Sequence, residues 1–155
     1  MGVSLLNALT DYYTLVQDAT TDPAIVVPSE LDFVPGPGDD LESMIWVLVY
    51  AILIHHHTRL IGPGKANYKR SVVDAFYGCL SYTALAKERT FLAVAGINPR
   101  SRGPDAWIPD PVQRKWFRRA MALVAGQNMP SLDGNTIPIT FDAFDKLCDD
   151  FITMG

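Results

Sequence analysis

The chain has 155 residues, 48% of them hydrophobic and 19% charged, with a formal net charge of −4 at pH 7. A domain of this length buries roughly 70% of the surface its unfolded chain exposes, so one domain over residues 1–155 is expected. The acidic balance argues against general nucleic-acid binding and against docking on anionic membrane, both of which want a basic surface.

Ser4 to Ala19 carries Leu5, Leu6, Leu9, Tyr13 and Val16 at helical spacing, with Asn7, Thr10, Asp11, Thr14 and Gln17 on the other side. Asp22-Pro23 ends that pattern, because the residue before proline is pushed out of the helical region. Residues 20–38 hold Pro23, Pro28, Pro35 and Pro37 with Gly36 and Gly38, a connector with room for at most one short strand, Ala24 to Val27. The stretch Asp39-Asp40-Leu41-Glu42-Ser43-Met44-Ile45-Trp46-Val47-Leu48-Val49-Tyr50-Ala51-Ile52-Leu53-Ile54 follows. From Met44 to Ile54 no side chain is charged, and apart from the Trp46 indole N–H the only polar side-chain group is the Tyr50 hydroxyl. Asp39 or Asp40 suits the first turn, and Glu42 adds negative charge where the macrodipole favours it. A helix apolar on every face predicts enclosure on every side, and the run falls short of the ~20 apolar residues that cross a bilayer.

That helix is expected to run to about Arg59, with Gly62-Pro63-Gly64 breaking the chain. Between Tyr68 and Ala95 the residues Val72, Val73, Phe76, Cys79, Leu80, Leu85, Phe91 and Leu92 again keep helical spacing, divided near Gly78. Residues 96–111 read as a second loop anchored by Trp107. Asp110 and Pro111 then suit the N-cap and first turn of a helix from Val112 to Val124. Its apolar side is Val112, Trp116, Ala120 and Leu123, with Phe117, Met121 and Val124 adjacent, and Gly126 lies near its end. Residues 127–139 read as loop, and Thr140 caps a last helix turning Phe141, Phe144, Leu147, Cys148, Phe151 and Ile152 inward. The expected fold is all-α, a helical domain around a buried central helix.

The segment Asp39-Asp40-Leu41-Glu42-Ser43, followed by Met44-Ile45-Trp46-Val47-Leu48-Val49-Tyr50, resembles the central helix of the protein-kinase C-lobe. The wording is similar to the casein kinase I group, and closest to the fungal-type protein kinase domain, which often has an aromatic residue where Trp46 stands. Ala86-Lys87-Glu88-Arg89-Thr90-Phe91-Leu92 and the closing run Phe141 to Ile152 are more loosely similar, so the resemblance spans about residues 24 to 152. It implies that Asp40 accepts hydrogen bonds from a catalytic-loop backbone, with Glu42, Ser43 and Trp46 completing a structural anchor. Ile45 departs from the glycine many kinases carry at that position. The glycine-rich loop, strand lysine, catalytic-loop aspartate and asparagine, and Asp-Phe-Gly magnesium ligand of a kinase are all missing from this sequence. Pro28-Ser29-Glu30 alone could stand for the Ala-Pro-Glu signature, and it lies closer to Asp40 than usual.

The resemblance therefore implies a kinase-like module without the phosphotransfer machinery, acting by protein contact or self-association and needing no cofactor. One alternative is the C-terminal part of a functional kinase whose catalytic motifs lie outside this chain. A second is a small helical metal-responsive protein using His55-His56-His57. Adjacent helix residues point about 100° apart, so only two of the three imidazoles could share an ion, and a polar helix end is the plainer reading. Gly62-Pro63-Gly64-Lys65 lacks the Ser/Thr and the preceding strand of a phosphate loop. Asp149-Asp150 and the basic residues Arg114, Lys115, Arg118 and Arg119 read first as solvated faces, the basic set alternatively as a contact for an acidic partner. Cys79 and Cys148 read as buried thiols rather than a disulfide. Without a signal-peptide pattern or a glycosylation sequon, an intracellular location is expected.

Overall fold

The computed structural model describes residues 2–31, 33–59, 81–101 and 103–154, with the backbone alone described at 57–59, 105 and 106. The fold is all-α, and no strand occurs among the described residues. The helices are α1 (Val3–Thr21), α2 (Pro37–Arg59), α3 (Tyr82–Ile97), α4 (Gly103–Trp107), α5 (Pro111–Asn128) and α6 (Phe141–Thr153). The sequence features assigned to residues 60–80, including the Gly62-Pro63-Gly64-Lys65 turn and Cys79, lie outside the described residues.

Local chemistry sets three of the helix starts. Ser81 Oγ accepts from Ala84 N at the head of α3, and Thr140 Oγ1 accepts from Ala143 N at the head of α6. Asp110 Oδ1 accepts from Val112 N and Gln113 N at 2.8 and 2.9 Å, with Pro111 in the first turn of α5. Each cap satisfies amide donors that have no partner inside the helix.

One hydrophobic cluster draws on every helix, from Val3 through Ile45, Trp46, Val49, Leu92, Trp107, Phe117, Met121 and Val124 to Phe144 and Leu147. α5 lies at its centre, packing against α2, α3, α4 and α6, while α1 packs on α3. Trp116 Nε1 donates to Leu147 O at 2.7 Å and its ring meets Phe151 edge-on, which fixes α6 against α5. Where α3 crosses α5, Gly96 is buried, and a Cβ there would stand 2.5 Å from Met121 Cβ and Cγ.

Several expectations are corrected. α2 is enclosed on one side only: Leu41, Glu42, Ile45, Trp46, Val49, Ile52, Leu53 and His56 are buried, whereas Asp40, Met44, Val47, Ala51 and His55 form an exposed stripe. Met44 is 53% and Val47 66% exposed, so an all-apolar run here marks a helix with an uncovered apolar face. α1 buries only Val3 and Leu6, leaving Tyr13 and Val16 outside because its distal half runs past the core. Val112, Phe141 and Ile152 are likewise exposed, standing at helix ends where no neighbour covers them. The loop at 96–111 contains α4, and α5 continues through Gly126 to Asn128, whereas the connector, with room for at most one short strand, forms none at Ala24 to Val27.

Gly96→Val would force α3 and α5 apart at this crossing. The expected loss is about 1–3 kcal/mol, the usual cost of overpacking a core. Chemical denaturation would read it, and an unchanged midpoint would contradict the close approach.

Candidate functional site

The most constrained polar group is the Glu42 carboxylate, completely buried on the inner side of α2. A buried carboxylate is costly unless hydrogen-bonded donors surround it. Four donors do so here. Oε1 accepts from Val3 N at 2.8 Å and from Trp46 Nε1 at 2.9 Å. Oε2 accepts from Gln127 Nε2 and Asn128 Nδ2, both at 3.0 Å.

Each donor arrives for a structural reason. Trp46 stands four residues on, one turn along the same face of α2. Val3 is the first residue of α1, whose own N-cap, Gly2, offers no side-chain acceptor. Glu42 therefore fills that role from another helix and places its charge at the positive end of the α1 dipole. Gly2 makes the approach feasible, since a Cβ there would stand 2.9 Å from Glu42 Oε2.

Gln127 and Asn128 end α5 and extend the network. Gln127 Nε2 also donates to Gly38 O at 3.2 Å, and its Oε1 accepts from Ile139 N at 3.0 Å. Asn128 Nδ2 also donates to Val124 O, while its Oδ1 accepts from Ser4 Oγ, each at 3.0 Å. The carboxylate thus joins α1, α2 and α5, and Gln127 ties in the segment leading to α6. Beneath it, the Arg89 guanidinium from α3 lies 5.0 Å from the centre of the Trp46 ring, a cation–π contact.

The residues singled out from sequence divide accordingly. Glu42 and Trp46 belong to the buried network. Ser43 does not: its Oγ donates to Asp39 O at 2.9 Å, within α2. Asp39 Oδ2 accepts from Gly36 N at 2.8 Å, closing the turn into α2. Asp40 points to solvent and makes no side-chain bond among the described residues. Glu42 was expected to serve its own helix's N-terminus and instead serves that of α1. Gln127 and Asn128 escaped notice because Gly126 reads as a stop. The available signal was spacing, since they continue the buried face of Trp116, Ala120 and Val124.

His56 is buried, with Nε2 2.6 Å from Gln113 Oε1, while His55 is exposed and meets the His56 ring edge-on. The His57 side chain lies outside the described residues. Among the described residues no three His, Cys, Asp or Glu side chains gather in a way that could hold a metal. Cys148 is a partly buried free thiol, raised above its ordinary pKa by burial and then by the Asp145 and Asp149 carboxylates. Among the described residues no helix is long and apolar enough to cross a membrane.

No family model, curated protein or solved structure matches the chain.

Glu42→Ala would strand four donors around an emptied site. The expected destabilisation is at least about 3 kcal/mol, given about 1–3 kcal/mol for each buried group left unsatisfied. Asp40→Ala should stay within about 0.5 kcal/mol, the range of exposed positions. Equal effects at the two positions would contradict this division of labour. A raised pKa leaves less thiolate at neutral pH, so Cys148 should alkylate more slowly than an unstructured cysteine in peptide-resolved mass spectrometry.

Proposed function

We propose that this chain is a non-catalytic, kinase-like helical module that acts through protein contact, in the manner of a pseudokinase or a C-lobe remnant. The observation that carries the reading is the exposed stripe of α2. It begins at Asp40, in the Asp-Asp-Leu-Glu-Ser segment that resembles the kinase C-lobe, and continues through Met44, Val47 and Ala51. Val26 and Val34 on the connector before α2 are each 87% exposed. Uncovered apolar surface of this kind is what protein-binding domains present. The sequence supplies no glycine-rich loop, catalytic-loop aspartate or magnesium motif to set against it.

A second reading rests on Asp40 itself. Its exposed carboxylate is the group the resemblance assigns to a catalytic-loop backbone, and the same surface would suit a kinase whose remaining parts are encoded elsewhere. A His-Arg-Asp-like motif in frame upstream of Met1 in the gene would favour that reading. Its absence would favour the interaction module.

A thermal-shift titration separates the classes. Neither ATP with magnesium nor zinc should raise the melting temperature, because a ligand stabilises only the fold that binds it. A rise dependent on ATP would overturn the non-catalytic reading, and a rise dependent on zinc would point to the histidines.

A further inference from the structure

The turn at residues 131–135 spends its hydrogen bonds on itself. Gly134 N donates to Ser131 O at 2.8 Å, and Ser131 N donates to Asn135 O at 2.9 Å. Ser131 Oγ lies 2.6 Å from Asp133 Oδ1 and 2.9 Å from Asn135 O. Gly134 takes a φ of +79°, in the left-handed region that glycine enters without strain. At the tip stands Leu132, completely exposed, so it adds nothing to the core of its own chain. Beside it the Asp133 carboxylate is exposed as well. The Ser131 hydroxyl holds that carboxyl below its ordinary pKa, so it is charged at neutral pH. A turn shaped in advance loses little conformational freedom on binding.

A surface that matches these two side chains lies close by. Between α5 and α6 runs a groove of about 410 Å³ with Ala122, Leu123 and Leu147 in its apolar lining. Arg119, Asp142 and Lys146 supply its charged groups. Arg119 is paired with Asp150. Lys146 is exposed and makes no ion pair among the described residues, Asp142 included. The groove thus offers apolar side chains to a leucine and an ammonium to an adjacent carboxylate. Leu132 and Asp133 present those two groups side by side. Thr140 also lines the groove, and the chain from Asn135 to Thr140 spans at most about 18 Å. Turn and groove are therefore neighbours, as a twofold contact that uses both requires. Leu132 does not fill the groove of its own chain, since it is wholly exposed.

We propose that two copies of this chain pair about a twofold axis. Each seats Leu132 in the α5–α6 groove of the other, with Asp133 facing Lys146. The same two surfaces are used twice, so the contact is isologous and closes at the dimer. It rests on neither the α2 stripe nor the kinase resemblance.

Sedimentation velocity on the full chain tests the proposal. The wild type should pass from monomer to dimer with rising concentration and form no larger species. Leu132→Asp places a charge in the apolar groove, and Lys146→Glu sets two carboxylates face to face. Each should weaken dimerisation by about tenfold or more. Both side chains are exposed, and circular dichroism should show both variants folded. Val94→Asp, at an exposed apolar position on α3, should dimerise as the wild type does. A wild type that stays monomeric at millimolar concentration would overturn the proposal. So would dimers undiminished by Leu132→Asp or by Lys146→Glu, or weakened as much by Val94→Asp.

Discussion

A single carboxylate removed from water sets the terms on which this chain folds. Glu42 is completely buried, and burying an ionised carboxylate without compensation costs far more than a domain's net stability. Its donors come from Val3, Trp46, Gln127 and Asn128, widely separated in sequence and brought to within 3.0 Å of its two oxygens. Satisfying that group means docking the start of α1 and the end of α5 against α2 together. Apolar packing alone tolerates shifts in register, whereas hydrogen bonds at this range do not. The network thereby supplies uniqueness to a core whose bulk stabilisation is hydrophobic.

The rest of the architecture follows from where this junction sits. It holds α2 by one side, and Trp46 beneath it receives Arg89 from α3. α5, anchored at its C-terminal end by Gln127 and Asn128, passes through the middle of the core and collects α3 at Gly96 and α6 at Trp116. The other side of α2 is left uncovered, and the distal half of α1 meets α3 through Tyr13, which stacks on Tyr82. The exposed stripe of α2 is the surface on which the proposed reading as an interaction module rests.

Much of the fold was legible in the residues because local chemistry dictated it. Asp110-Pro111 and Thr140 announced helix starts, and the spacing of Trp116, Ala120 and Val124 announced a buried face. Hydrophobicity misled where it was taken as a measure of enclosure. The run from Met44 to Ile54 is apolar on every side, yet burial depends on what other elements can reach it, and Met44 and Val47 are not reached. Val16 failed for the same reason, at the far end of a helix longer than the core it crosses, and Tyr13 stacks on Tyr82 at the start of α3 yet stays 53% exposed. The junction was the least legible part. A glutamate at the start of a helix reads as complementing its own dipole, and nothing near Glu42 in sequence points to Val3, Gln127 or Asn128. Tertiary proximity creates that site, and only Trp46, one turn away, was within local reach.

The central claim is that Glu42 and the α5 terminus act as one coupled unit rather than as independent contributors. A double-mutant cycle on folding stability between Glu42→Ala and Asn128→Ala measures this directly. The account predicts a coupling energy of about 1 kcal/mol or more, as expected for residues sharing a buried hydrogen-bond network. Losses that add to within about 0.3–0.5 kcal/mol, the behaviour of distant and independent sites, would contradict it.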